Sequence, residues 1–312
     1  MPADDSLQAP LYAGDVRTGG SSTVKAEGSV PESEPEFVMT SEGRVAYVEA
    51  GPSEAEAPGA CPLVLLHGLT GHRDDFLPVL ASLARSRRVV VPDLRGHGDS
   101  VCEPGTSGWS LDQLVKDLSA FLISMGLDRI DLLGHSMGGF VAQRFVLAHP
   151  QGVRSLSLLC TGPEVPALLP RTGFEKAAAI AEAQGIDGLQ VILEKVGRID
   201  ASPSISGWGE RYWIHHRRRF RAMSAESYAG VGSAFFASES LVPRLREISQ
   251  PTLVMVGEFD TDWLPGAELF SQNLSAAKVI FLSNAEHHPH QENTLEFLHT
   301  LEAHLDRAGQ VV

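Results

Sequence analysis

Gly134-His135-Ser136-Met137-Gly138 sets a serine between small residues where an apolar run, Ile130–Leu133, gives way to a helical pattern, Met137–Ala148. A strand that turns straight into a helix needs small neighbours at the turn, and such a turn pushes the serine Oγ out at the carboxyl edge of a sheet. The helix start behind it presents a positive dipole end to any developing negative charge. A hydroxyl placed this way can attack a carbonyl carbon once a neighbouring base takes its proton. Imidazoles are available for that work, because residues 285–290 read Ala-Glu-His-His-Pro-His. Glu286, His287, His288 and His290 also have the composition of a metal site. Neither HExxH nor a comparable helical ligand spacing is present, so no metal is expected.

The elements that must hold these groups follow an alternating pattern. Phe37–Thr40 and Arg44–Glu49 read as a β-hairpin, and Leu63–Leu66, Arg88–Val91, Ile130–Leu133, Ser155–Leu159, Thr252–Val256 and Lys278–Leu282 as short apolar strands. Between them lie helical stretches at Phe76–Ala84, Leu111–Ser124, Met137–Ala148, Ala267–Leu274 and Thr294–His304. Continuous apolar strands separated by amphipathic helices predict an α/β protein with a mostly parallel central sheet flanked by helices on both faces. The rhythm breaks over residues 162–247, which are helical in character and punctuated by Pro163, Pro166, Pro170, Gly185, Gly188, Pro203, Gly207 and Gly209. This stretch is expected to be a helical cap inserted in a core made of 37–161 and 248–312, after a disordered tail over 1–36 that is too polar to offset its ordering entropy.

Two further segments carry a family resemblance. Leu63-Val64-Leu65-Leu66-His67-Gly68 resembles the strand and His-Gly turn of α/β-hydrolases, and Asp93-Leu94-Arg95-Gly96-His97-Gly98-Asp99-Ser100 resembles their D-x-R-G-x-G-x-S loop. With Gly134–Gly139 these fall in the family's order and spacing, and the resemblance spans about residues 37–307 apart from the insertion. It implies the α/β-hydrolase fold and a catalytic triad in the order Ser, acid, His. The nucleophile would be Ser136. Pro251–Asp260 resembles the segment bearing the acid, which picks Asp260, with Asp262 as competitor because the usual following proline sits one residue late, at Pro265. Glu164 is a more distant alternative. The pattern G-H-x-x-x-x-E-x-P-x-x-F picks His287, with Glu292 and Phe297 in register, although Glu286 replaces the glycine and Thr294 the proline. The backbone N–H groups of Leu69 and Met137 would form the oxyanion hole. The resemblance implies a carboxylic ester or lactone as substrate and no cofactor. The same triad also serves C–C bond hydrolases and cofactor-free perhydrolases, and the fold can persist as a ligand receptor.

The insertion offers Trp208, Tyr212, Trp213, Phe235 and Phe236 as candidate pocket walls. Tyr212–Arg221 (YWIHHRRRFR) is a basic run in an acidic chain. Arginines there could bind a substrate carboxylate, but pairing with nearby acids is the favoured reading. The 312 residues hold 39 Asp/Glu against 25 Lys/Arg, a net charge of −14, of which −8 falls within residues 1–60. That balance argues against nucleic acid, whose phosphates need a basic face. No apolar stretch reaches membrane-spanning length and the N-terminus lacks the pattern of a secretory signal, so no membrane partner is expected. Cys61, Cys102 and Cys160 form neither a disulfide framework nor a CxxC site, which fits a reducing, cytoplasmic setting and a small-molecule substrate.

Overall fold

The computed structural model describes residues 32–100, 102, 105, 108–199 and 209–310. Eight strands make one sheet: β1 (Glu36–Thr40), β2 (Gly43–Ala50), β3 (Leu63–Leu66), β4 (Val89–Pro92), β5 (Ile130–His135), β6 (Val153–Leu159), β7 (Thr252–Gly257) and β8 (Ala277–Leu282). Their spatial order is β1-β2-β4-β3-β5-β6-β7-β8. The pairs β1–β2 and β2–β4 are antiparallel, and every later pair is parallel. The order reverses at β3, since β4 lies on one side of it and β5 on the other. Such a reversal opens a crevice beyond the carboxyl ends of the two strands, where ligands of α/β sheets bind.

The continuous apolar strands divide their side chains between two covered faces. Val64, Leu66, Leu132, Leu156, Leu158, Val254 and Val256 join Phe121, Phe140, Phe145 and Phe270 on one face. The flanking helices there are α2 (Leu111–Ser124), α3 (Met137–Ala148) and α7 (Leu264–Asn273). Leu63, Leu65, Leu133, Leu159, Leu253 and Met255 meet Phe76, Leu83, Phe297 and Leu301 on the other. Helices α1 (Leu77–Leu83) and α9 (Thr294–Gln310) cover that face, with a one-turn helix α8 (Pro289–Glu292) before α9. Leu63 to Leu66 are wholly buried, and each such side chain contributes about 1.5–3 kcal/mol through burial.

Between β6 and β7 the chain leaves the sheet. Leu241 N–H donates to the Pro163 carbonyl at 2.8 Å and closes the neck of the insertion. Beyond it lie α4 (Arg171–Ile199), α5 (Glu210–Arg221) and α6 (Ala225–Phe236). The α4 span is two helices meeting at Gly185, whose φ of 76° interrupts the helical backbone. These helices share an apolar cluster of their own, including Phe174, Leu189, Phe220, Met223 and Tyr228.

Two expectations need correction or restriction. Order does not begin at Phe37: β1 starts at Glu36, and Ser33 is bonded through its hydroxyl to the Asp74 carboxylate and to Arg73 Nε. The rest of the expected tail, residues 1–31, lies outside the described residues, as does Trp208. Among the described residues no helix is long and apolar enough to cross a membrane.

The turn from β5 into α3 brings the helix start directly against β3. A Cβ on Gly138 would lie 2.5 Å from the Leu66 carbonyl oxygen and 2.6 Å from that of His67, both main-chain atoms that cannot step aside alone. Gly138→Ala is therefore expected to lower the urea midpoint by the equivalent of about 1–3 kcal/mol through overpacking. An unchanged midpoint would mean that the strand end yields easily.

Candidate active site

Ser136 is the residue between β5 and α3, at φ 53° and ψ −120°. A non-glycine residue holds such a backbone only when its surroundings impose it. Here Ser136 N–H donates to the Leu159 carbonyl at 2.9 Å, and its own carbonyl accepts from Thr161 Oγ1 at 2.7 Å and from Gly139 N–H at 2.9 Å. The side chain makes no capping bond to α3, so Oγ is not spent on its own helix. Met137 is the first residue of α3, where backbone N–H groups have no partner within the helix. The loop after β3 passes over the serine. A Cβ on Gly68 would stand 3.1 Å from Ser136 Cβ and 3.5 Å from Oγ, so this loop lies in contact with the serine at Gly68. The Leu69 carbonyl faces His97 Nε2 at 2.5 Å, tying this loop to the one after β4.

Asp260 lies three residues beyond β7, and its carboxylate accepts from His287 Nδ1 at 2.9 Å. The bond from His287 goes to Asp260 and not to Asp262. Because a carboxylate can only accept here, the proton is on Nδ1 and Nε2 keeps a lone pair. Burial disfavours the charged imidazole, but the negative Asp260 and its hydrogen bond outweigh it and leave the His287 pKa raised. The Trp263 ring stacks beside His287, with centroids 6.1 Å apart and planes inclined by 18°.

The neighbouring histidines are distinguished by their partners. His288 Nε2 accepts from Arg219 Nη1 at 3.1 Å, and burial together with the Arg219 charge holds its pKa well below the usual value. His290 is wholly buried against Phe76, with centroids 4.8 Å apart, and burial pushes its pKa down to about 3. His135 donates from Nε2 to the His287 carbonyl at 2.7 Å, and burial also keeps it neutral. Among the described residues, a carboxylate bonds the ring of His287 and none bonds the rings of the other three. Behind the pair, Cys160 completes a group whose ligand-type atoms lie within 4.8 Å of one another. A soft cation could bind those three only by displacing the Nδ1 proton and the Asp260–His287 hydrogen bond.

The cap residues do not form one wall. Trp213 is buried inside the cap, edge-on to Tyr212 and His216, with Arg198 4.8 Å over its face. Phe236 stacks on Phe174 at 5.0 Å. Trp213 thus packs within the cap, and Phe236 packs between the cap cluster and the core. Phe235 instead meets Phe140 at 4.9 Å and lies 6.5 Å from the Trp263 ring that stacks on His287. Tyr212 is partly buried within the electrostatic reach of Arg219, Glu286 and Glu292, and burial raises its phenol pKa. The basic run pairs with acids: Arg217 with Glu194 and Glu210, Arg218 with Glu32 and Asp74, Arg219 with Asp75, and Arg221 with Asp187.

Sequence reasoning missed His135, Arg219, Asp75, Trp263 and Cys160 as neighbours of the site. His135 stood inside the serine motif and Arg219 inside the basic run, so each had a signal. Asp75 and Cys160 had none.

The family model described as alpha/beta hydrolase fold matches residues 62–294. A putative 2-succinyl-6-hydroxy-2,4-cyclohexadiene-1-carboxylate synthase of Bacillus subtilis is 28% identical over 261 residues, covering 82% of this chain and 92% of that protein. A pimeloyl-[acyl-carrier protein] methyl ester esterase of Aeromonas hydrophila is 28% identical over 250 residues, covering 77% and 93%. Among solved structures, the enol-lactonase from Burkholderia xenovorans superposes with a TM-score of 0.76 at 21% identity, over 87% of this chain and 100% of that one. At that identity the superposition speaks for the fold.

One carboxyl in the histidine loop gives a pH signature. Glu292 accepts the Glu286 N–H at 2.5 Å, and burial, helped by the nearby Glu286 charge, pushes its pKa up to about 7. A carboxyl raised in the folded state favours folding when protonated, so its contribution is full below about 4.5 and is lost as pH rises toward 7. Glu292→Gln keeps an acceptor for the N–H without the charge. The variant is expected to match the natural protein in urea stability near pH 4.5 and to exceed it by about 1–2 kcal/mol at pH 8. Equal stability at both pH values would contradict the raised pKa.

Proposed function

The chain belongs to the α/β-hydrolase fold family, and from that premise we propose that it is a serine hydrolase cleaving a carboxylic ester or lactone of a small or medium acyl substrate. The observation that carries this reading is the Asp260–His287 hydrogen bond, which leaves Nε2 available as a base, on a loop whose His287 carbonyl is bonded by His135, the residue before the strained, uncapped Ser136. In the reaction His287 Nε2 takes the proton of Ser136 Oγ as the oxygen attacks the substrate carbonyl. Asp260 keeps the imidazole in the required tautomer and stabilises the cation that forms. The tetrahedral oxyanion accepts hydrogen bonds from the backbone N–H groups of Met137 and Leu69, and losing one such donor costs about 3–4 kcal/mol. Collapse expels the alcohol, protonated by His287, and leaves an acyl group on Ser136. Water activated by the same imidazole then attacks the acyl carbon and releases the acid.

The substrate class draws support from two directions. The Aeromonas relative is named an esterase and the Burkholderia structure an enol-lactonase. Phe235 beside Trp263 gives the region next to His287 an apolar character suited to an acyl chain.

The test is hydrolysis of p-nitrophenyl butyrate with fluorophosphonate labelling in parallel. The natural protein is expected to turn over the ester and to be labelled, and Ser136→Ala to lose both. Asp260→Asn should lower kcat by about 10⁴-fold, the scale seen when a triad carboxylate becomes an amide. Asp262→Asn should stay within about twofold, because Asp262 is not the carboxylate bonded to His287. Full activity in Ser136→Ala or Asp260→Asn would overturn the assignment.

A further inference from the structure

The basic run of the cap contains two kinds of arginine. Arg217 and Arg221 pair with Glu194, Glu210 and Asp187, all acids of the cap itself. Arg219 is buried and reaches out of the cap into the core. Its Nε lies 3.4 Å from Asp75 Oδ1 and donates to the Thr70 carbonyl at 3.2 Å, while Nη1 donates to His288 Nε2 at 3.1 Å. Thr70 follows Leu69, whose N–H is assigned to the oxyanion, and His288 follows His287, assigned as the base. One guanidinium therefore joins the cap, the loop after β3 and the histidine loop.

Asp75 is the counter-charge that makes this arrangement stable. It is wholly buried, and it also accepts from His215 Nε2 at 2.8 Å, one helical turn before Arg219 on the same face of α5. Burial alone would raise its pKa, but the Arg219 charge and the His215 hydrogen bond hold the carboxyl well below its usual range. The Asp75 carbonyl accepts from Gln291 Nε2 at 3.0 Å, a second tie between the same two loops. Since Asp75 already answers the Arg219 charge, this arginine is not a ready receptor for a substrate carboxylate.

We propose that Arg219 is a positioning residue: it fixes the oxyanion loop and the His287 loop relative to each other, so that seating of the cap sets the geometry of the catalytic centre. The inference rests on the serine-hydrolase reading. Arginine suits the role because its planar fork donates in several fixed directions at once, whereas a lysine ammonium is a point charge on a flexible stem. Displacing a loop by about 1 Å can cost about 100-fold in rate without contact to the substrate.

The experiment measures kcat and KM on p-nitrophenyl butyrate, fluorophosphonate labelling rate and thermal midpoint for Arg219→Met, Arg219→Lys and Arg217→Met. Arg219→Met is expected to lower kcat and labelling rate by about 10- to 100-fold with KM changed far less. Arg219→Lys keeps a charge beside Asp75, so its midpoint should return toward that of the natural protein. Its kcat should remain down by about tenfold or more, because an ammonium does not reproduce the fork. Arg217→Met removes a charge from the same helix and should leave kcat unchanged. Should Arg219→Met fail to fold, Arg219→Lys decides. Natural kcat and labelling rate in folded Arg219→Lys would overturn the positioning role alone. Absence of labelling and turnover in the natural protein would overturn the hydrolase reading, and this inference with it.

Discussion

A serine held at φ 53° and ψ −120° is in a backbone region that costs a non-glycine residue about 1–3 kcal/mol. The surrounding structure imposes that conformation from several sides. Leu159 at the end of β6 accepts the Ser136 N–H, and Thr161 just beyond it donates to the Ser136 carbonyl. The glycine after Met137 lets α3 start against the end of β3. Strands β3, β5 and β6 are adjacent in the sheet, so their mutual register sets the turn. The conformation depends on long-range pairing that a local peptide could not maintain.

From this point the chemistry of the histidines follows. His135 precedes the serine and donates to the main chain of His287, so the turn and the base loop are tied by one hydrogen bond. Burial keeps His135, His288 and His290 neutral, whereas Asp260 raises the pKa of His287. His288 is occupied as an acceptor by an arginine, and His290 is enclosed by aromatic rings. A carboxylate on Nδ1 distinguishes His287 from its neighbours. Composition gives four similar rings, and the fold gives them different partners.

Much of this was legible in the residues. Apolar runs such as Leu63–Leu66 stated a doubly covered sheet because both faces of each strand had to be apolar. Register against the family pattern within residues 285–297 pointed to His287 over His288, and His287 is the ring that bonds the Asp260 carboxylate. The resemblance of Pro251–Asp260 to the family's acid-bearing segment pointed to Asp260, with Asp262 as its competitor. The cap was less readable. Trp213 and Phe236 are aromatic residues at helical spacing, and nothing in such spacing tells a pocket wall from the interior of the cap. Asp75 and His215 are 140 residues apart, and a single sequence carries no sign that they meet. Ser33 fell within a polar segment whose composition suggested no docking, yet a single hydroxyl bonded to Asp74 and Arg73 anchors it.

Hydrolysis through the strained serine requires a covalent acyl group on Ser136 during turnover. The most direct measurement mixes the protein with excess p-nitrophenyl butyrate, quenches in acid within the first turnover, and locates any adduct by peptide mass spectrometry. A butyryl group on Ser136 is expected, accompanied by a burst of about one nitrophenol per active site when deacylation is the slower step. Ester turnover with no adduct on Ser136, or with the acyl group on another residue, would contradict it.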